Sequence, residues 1–380
     1  MPFTPLLEPF RHVTPATSLR HFIRTTKRHL RPPKPRLWEP PRKPARQRAL
    51  ARGLIQPGHL ASIFAEHRLR RKTPTIVIGG FVPDAIDTVF LQRSFFLGQG
   101  SLFYLLYPRQ AFSADAIYAQ LDDLVEHLAV DHAQPPVIVS ISFGAGLVME
   151  WLRRRKEEGR PARLGGLILV SPVSTPEDII DPSLPKPNTL LGRGLAPFLQ
   201  QDADVYDAAD LARSRGIFMK MFEAGAQNTS ALRSLVTGRE LLQLRNSVRT
   251  CLAEIDGPGA SQRIRALLHL NPLARLDPGE ALCETPALVL YAEKESSVMV
   301  SNAPTRQQLE THVKSIFPQG SFHLVRNPHG GSPVQHASLL FHERNFRPYF
   351  KTFYAALENK RTNKVMTDRW FSLRGPRPVV

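Results

Sequence analysis

Short apolar runs that stop abruptly at small or turn-forming residues are the clearest pattern along the chain. Thr75-Ile76-Val77-Ile78 ends at Gly79-Gly80-Phe81, and Leu102-Phe103-Tyr104-Leu105-Leu106-Tyr107 ends at Pro108. Pro136-Val137-Ile138-Val139-Ser140-Ile141 runs into Ser142-Phe143-Gly144-Ala145-Gly146. Gly166-Leu167-Ile168-Leu169-Val170, Pro286-Ala287-Leu288-Val289-Leu290-Tyr291 and Phe322-His323-Leu324-Val325 repeat the form. Continuous apolar runs this short, rich in β-branched and aromatic residues, predict strands buried on both faces. His59–Phe64 and the stretch to Arg71 alternate imperfectly and predict a lead-in hairpin.

Helical spacing fills the intervals. Ser113 is placed to cap a helix whose inner stripe is Ile117, Leu121, Leu124 and Leu128, leaving Asp122, Asp123 and Glu126 on its outer face. Leu147, Val148, Trp151 and Leu152 recur at helical spacing behind Ser142, and Leu339, Leu340, Phe346, Phe350 and Phe353 mark the buried side of a long closing helix. Strands alternating with helices imply an α/β fold, a mostly parallel, doubly wound sheet joined by right-handed crossovers. Sites in such sheets lie beyond the C-terminal strand ends, where Ser142 and Gly80-Phe81 fall.

From residue 172 to 284 the strand rhythm gives way to proline-punctuated helical patterns such as Leu241, Leu242, Leu244 and Val248, or Ile264, Leu267 and Leu268. The expected organisation is therefore an arm over 1–58, a core over 59–171 and 285–358, a helical insertion over 172–284 and a basic tail over 359–380.

Charge changes the picture at the N-terminus. The net charge of +17 is concentrated in residues 1–72, which hold 17 Lys and Arg against three acids, Glu8, Glu39 and Glu66, leaving the remainder nearly neutral. Residues 30–48 combine proline with arginine and lysine, a composition that predicts an extended, self-repelling arm. Upstream, Leu19, Phe22 and Ile23 among Arg20, Arg24, Lys27 and Arg28 predict a short basic amphipathic helix suited to an anionic membrane surface. An Arg-rich, acid-poor leader also suits mitochondrial import. Nucleic acid is the weaker partner, because the leader's positive charge is not interleaved with base-stacking aromatics, Trp38 being nearly alone, and the rest of the chain is close to neutral.

Cys251 and Cys283 are too few for a disulfide framework and lack metal-ligand spacing, so reduced, packed thiols are expected. No run approaches the ~18–20 apolar residues of a membrane span, and the N-terminus lacks a signal-peptide pattern. A cytoplasmic protein, able to associate with membrane through its leader, is the expectation. Oligomeric state is not legible.

Ser142 is the candidate for chemistry. A strand that turns sharply into a helix, with small residues at Ser140 and Gly144, sets a hydroxyl above the sheet and aims free helix N–H groups at the same point. The segment resembles the nucleophile elbow of the α/β-hydrolase family, with serine in place of the usual first glycine. The resemblance covers about residues 73–355. It implies an α/β-hydrolase sheet with the insertion as a helical cap, and a triad in the chain order Ser, acid, His. It also implies an oxyanion hole from the backbone N–H groups of Phe143 and Phe81, although many relatives carry His-Gly where this chain has Gly79-Gly80.

The acid would follow the strand after the insertion, in Ala292-Glu293-Lys294-Glu295-Ser296-Ser297-Val298, with Glu295 at the acid position and Glu293 as its near competitor. Asp178 and Asp181 are distant ones. The base would be His336, in Val334-Gln335-His336-Ala337, or His329, in Pro328-His329-Gly330; the family's spacing to the closing helix favours His336. His323 reads as a strand residue.

The activity implied is hydrolysis of a carboxylic ester by a Ser-His-Glu triad through an acyl-enzyme, without metal or cofactor. A phenylalanine-rich chain with a large cap suits a small apolar acyl ester, as in an esterase or monoacyl-lipid lipase. A thioesterase, an amidase, or a non-catalytic binding or scaffold protein on the same sheet are the alternatives.

Overall fold

The computed structural model describes Ile23 and residues 35–67, 72–131, 134–200, 207–226, 235–277, 279–327, 332–336 and 342–373. The predicted amphipathic helix near residues 19–28 (Ile23 apart), His329, and Leu339 and Leu340 lie outside them.

Among the described residues eight strands form one sheet: β1 (Arg36–Leu37), β2 (Ser62–Glu66), β3 (Thr75–Ile78), β4 (Leu102–Leu106), β5 (Val137–Ile141), β6 (Gly166–Val170), β7 (Ala287–Ala292) and β8 (Gly320–Val325). Their order is β1-β2-β4-β3-β5-β6-β7-β8. β1–β2 and β2–β4 are antiparallel, and every pair from β4 to β8 is parallel. Successive side chains of a strand point to opposite faces. Ile76, Ile138, Leu167, Leu169 and Val289 accordingly enter one apolar layer, and Val77, Val139, Ile168, Leu288 and Leu290 the other. Both faces are covered, which is why these strands read as continuous apolar runs rather than alternating ones.

The helices that cover them are α1 (Pro44–Ala51), α2 (Ala85–Thr88), α3 (Arg93–Gln99), α4 (Ala114–Glu126), α5 (Phe143–Glu157), α6 (Leu190–Gln200), α7 (Ala208–Ala226), α8 (Gly238–Glu254), α9 (Gly257–Leu268), α10 (Pro304–Ile316) and α11 (Glu343–Leu373). Ser113 caps α4, its hydroxyl accepting from Ala116 N at 3.3 Å. Phe346 and Phe350 of α11 pack with Phe96 of α3 against the second face. Helices α6 to α9 all lie between β6 and β7. Leu244, Val248 and Leu252 of α8 form a small apolar cluster with Phe222 of α7 and Leu91. No helix among the described residues is long and apolar enough to cross a membrane.

Three local expectations are corrected. Among the described residues the lead-in strand does not pair with the stretch that follows it: β2 pairs with β1 and β4, its register setting Phe64 opposite Tyr104 and burying Ile63 and Ala65. Residues 35–52 are not an extended arm. Pro44 starts α1, whose first-turn amides Ala45 N and Arg46 N donate to Asp123, and Arg46 Nε reaches the same carboxylate at 2.9 Å. Trp38 packs edge-on against Phe103 at 4.9 Å between ring centres. Asp123 is consequently buried rather than on the outer face of α4. The leader's repulsion is overcome here because one acid accepts from several donors in a dry setting, where charge-assisted bonds are strong.

Candidate active site

β5 ends at Ile141, and the chain enters α5 through Ser142, whose backbone takes φ 53° and ψ −124°. A positive φ in a side-chain-bearing residue costs on the order of 1–3 kcal/mol and persists only where surroundings impose it. Here Ser142 N donates to Val170 O on β6 at 2.9 Å, while Ser142 O accepts from Ala145 N at 2.9 Å and Val173 N at 3.2 Å. Two positions of the first turn of α5 have no room for a side chain. A Cβ on Gly144 would lie 2.1 Å from Gly79 O, and one on Gly146 would lie 2.2 Å from Val173 O. Close approach of α5 to the β3 and β6 exits thus requires the small residues visible in the sequence.

The segment after β3 folds over the serine, so that a Cβ on Gly80 would sit 3.3 Å from Ser142 Cβ. Phe81 follows, its ring stacked on that of Phe143 at 4.3 Å between centres and 7° between planes. Phe143 is the first residue of α5, so its N–H has no carbonyl behind it in the helix. Among the described residues Phe81 N–H donates to no protein acceptor either.

Glu295 and His336 meet beside this corner. Glu295 Oε2 lies 2.6 Å from His336 Nδ1, and Oε1 accepts from Ser171 Oγ at 2.6 Å and Ala292 N at 2.7 Å. Both side chains are buried. A carboxylate only accepts, so Nδ1 carries the hydrogen and Nε2 is the basic nitrogen. Main-chain pairing sets the approach: Lys294 N donates to Val334 O at 3.0 Å and His336 N to Lys294 O at 3.3 Å. Ser142 and His336 line one cavity, and no hydrogen bond joins the hydroxyl to the ring in this geometry. Such bonds are commonly long before substrate enters.

Glu293, the competing acid, does different work. Its Oε1 accepts from Asn327 N at 3.0 Å and Val334 N at 2.8 Å, stapling the loop that leads to His336. Asp178 accepts from the amides of Ser174, Thr175 and Thr305, and burial raises its pKa to about 6. Asp181 is on the surface, where hydrogen bonds from Ser183 lower its pKa. His323 is an exposed residue of β8, and desolvation lowers its pKa. His329 is outside the described residues.

The cavity has a volume of about 70 Å³, with Ser142 and His336 in its lining. Gly80, Phe81, Ile141 and Val298 line it from the sheet side, and Leu191, Phe218, Met221, Phe222 and Val248 from the insertion. Among the described residues no group of three His, Cys, Asp or Glu side chains is arranged to hold a metal ion. Ser171 escaped the sequence reading. Its signal was position: it directly follows β6, at the same strand-end level as Ser142, and takes up a φ of 43°.

No family model matches the sequence, and neither does any curated protein. Solved structures resemble it in architecture. A membrane phospholipase A, a bacterial virulence factor, superposes with a TM-score of 0.53 over 90% of this chain and 93% of its own at 13% identity. A protein from Burkholderia cenocepacia assigned as an aryl esterase gives 0.51 over 79% and 96% at 13% identity. An epoxide hydrolase from Bacillus megaterium gives 0.51 over 77% and 96%, also at 13% identity. The eight-stranded, mostly parallel sheet with helices on both faces is the α/β-hydrolase fold. At these identities the likeness is one of fold.

Proposed function

We propose that this chain is a serine hydrolase that cleaves carboxylic esters. Ser142 Oγ attacks the acyl carbonyl as His336 Nε2 takes its proton, and the Phe81 and Phe143 N–H groups hold the resulting oxyanion. Collapse expels the alcohol, protonated by His336, and leaves the acyl group on Ser142. Water then attacks with the same base and releases the acid. Glu295 holds the imidazole in the needed tautomer and stabilises the imidazolium.

One observation carries the reading: a serine forced to positive φ at a strand-to-helix corner shares a cavity with a histidine whose Nδ1 is 2.6 Å from a buried glutamate. A structural glutamate would serve equally well on amides alone, as Glu293 does. The fold neighbours include proteins named as an esterase and a phospholipase, which agrees with acyl transfer. Epoxide hydrolysis is disfavoured, since that scaffold's chemistry attacks through a carboxylate and the corner here is serine.

The walls indicate an apolar acyl group. About 70 Å³ is small beside the ~300–1,000 Å³ of ordinary ligand pockets, so a short acyl chain fits as the helices stand, and a longer one requires α6 to α8 to move as a cap. The basic leader would bring the enzyme to anionic membrane, with each lysine or arginine contributing about 1 kcal/mol near the surface.

Hydrolysis of p-nitrophenyl acetate, butyrate and octanoate, each with the matching thioester and anilide, tests the reading. Ester hydrolysis that falls by roughly 10³-fold or more in Ser142→Ala is the expected result. Turnover unchanged in that variant, or no turnover of any member, overturns it, and the latter leaves a binding protein on a hydrolase sheet.

A further inference from the structure

The insertion lines the cavity with apolar side chains, and α9 brings a charge inside. Arg263 is 2% exposed. Its Nη1 donates to Phe81 O at 3.0 Å and its Nη2 to Pro108 O at 2.8 Å. The guanidinium lies over Tyr107 and Phe112, 5.2 and 5.8 Å from the ring centres. Tyr107 in turn donates its hydroxyl to Gly79 O at 2.9 Å. The peptide unit between Gly80 and Phe81, which carries the Phe81 N–H, is thus bracketed. The carbonyl before it and the carbonyl after it are both held, by two side chains stacked on each other.

The rest of α9 keeps this fork in register. A Cβ on Gly259 would fall 2.2 Å from Arg109 O, and Gln262 Oε1 accepts from Phe112 N at 2.8 Å. Arg109 pairs with Asp84 in the segment after β3. Packing alone does not call for a cation at 263, because Ile264 and Leu267 supply the apolar face of α9. Burying a guanidinium is costly, and a well-packed apolar side chain of like volume is often at least as stabilising. Nε has no hydrogen-bond partner, so the cost is not fully offset. What an apolar residue cannot supply is the planar fork that ties two loop carbonyls to one helix.

We infer that Arg263 is a positioning residue for the oxyanion-binding amide. By fixing the β3 exit against the β4 exit, it holds the Phe81 N–H aimed at the place where negative charge develops on the substrate. A cap helix thereby completes the catalytic geometry on the sheet. The inference rests on the serine-hydrolase reading.

The test is steady-state kinetics on p-nitrophenyl butyrate with wild type, Ser142→Ala, Arg263→Met, Arg263→Lys and Tyr107→Phe, with near-ultraviolet circular dichroism as the fold check. Inhibition by a trifluoromethyl ketone, which places an oxyanion in the hole, is the second readout. Arg263→Met is expected to lower kcat roughly 10- to 100-fold with KM changed less than about threefold, and to weaken the ketone in parallel with kcat/KM. Arg263→Lys, which reaches one carbonyl at a time, should recover part of the loss, and Tyr107→Phe should lose a smaller part. A folded Arg263→Met with wild-type kcat and ketone affinity, or a change in KM alone, overturns the inference while leaving the hydrolase reading intact. If Arg263→Met does not fold, Tyr107→Phe decides, and full kcat in that variant overturns it. Wild type without Ser142-dependent turnover overturns the reading, and the inference with it.

Discussion

The floor of the cavity and its roof differ in how their side chains are held. On the floor, Glu295 engages both carboxylate oxygens, and the segment carrying His336 is paired by main-chain bonds to residues beside Glu295. On the roof, Leu191, Phe218, Met221, Phe222 and Val248 present apolar surface, which has no direction and resists sliding only through shape. Directional bonds suit a group that must hold a proton at a fixed distance. Apolar packing suits a wall that decides which acyl chain enters and can part to admit it. Chemistry should therefore be sensitive on the floor, and chain-length preference on the roof.

The largest effect that sharpens this contrast comes from the two glutamates of the floor. Glu295→Gln keeps the shape but loses the acceptor that fixes the imidazole, and kcat should fall about 10²- to 10⁴-fold. Glu293→Gln, two positions away, weakens only the amide staple at Asn327 and Val334; kcat should stay within about fivefold, with a stability loss of about 1–2 kcal/mol by urea denaturation. Equal losses of kcat in the two would erase the distinction between them.

On the roof, Phe222→Ala removes a buried ring that touches both the cavity and the α8 cluster. Stability should drop by about 3–4 kcal/mol, and preference across a p-nitrophenyl ester series should move toward longer chains. An unchanged chain-length profile in a folded Phe222→Ala protein would show that the roof does not select.

The smallest effect concerns pH at the seam between them. Asp87 on α2 accepts from Ser247 of α8 at 2.6 Å, and its pKa is raised to about 6, first by burial, with the nearby Asp84 charge adding to it. The folded protein therefore keeps a proton that the unfolded chain releases above the ordinary carboxylate range near 4. Stability from this group is present below that range and is lost as pH rises toward and through 6. Asp87→Asn should gain on wild type by about 1–3 kcal/mol between pH 4 and 7 in urea denaturation. Parallel pH curves would show that the carboxyl is not protonated in the fold.

The sheet was legible because strands buried on both faces produce apolar runs that end where the chain must turn, as at Ile78 and Val170. The corner at Ser142 was legible because close helix approach permits only small residues, and the clash distances at Gly144 and Gly146 bear this out. Other features depend on contacts far apart in the chain. Asp123 read as a surface acid of α4 because its partners, Ala45 and Arg46, come from a leader whose composition alone implied extension. Arg263 carries no local pattern and Ser171 only its place after β6; each is explained by what the fold sets beside it, the Phe81 carbonyl for Arg263 and Glu295 for Ser171. The sequence preferred Glu295 to Glu293 only through the resembled motif; in the fold they differ by what each accepts from, His336 Nδ1 for Glu295 and the amides of Asn327 and Val334 for Glu293.

The central claim is that Ser142 is a nucleophile activated by His336. Labelling with a fluorophosphonate, followed by proteolysis and mass spectrometry of the peptide that spans β5 and the start of α5, tests it most directly. The account predicts a covalent adduct on Ser142 that forms in wild type and is nearly lost in His336→Ala. No adduct at Ser142 in folded wild-type protein, or labelling that proceeds equally without the imidazole, would contradict it.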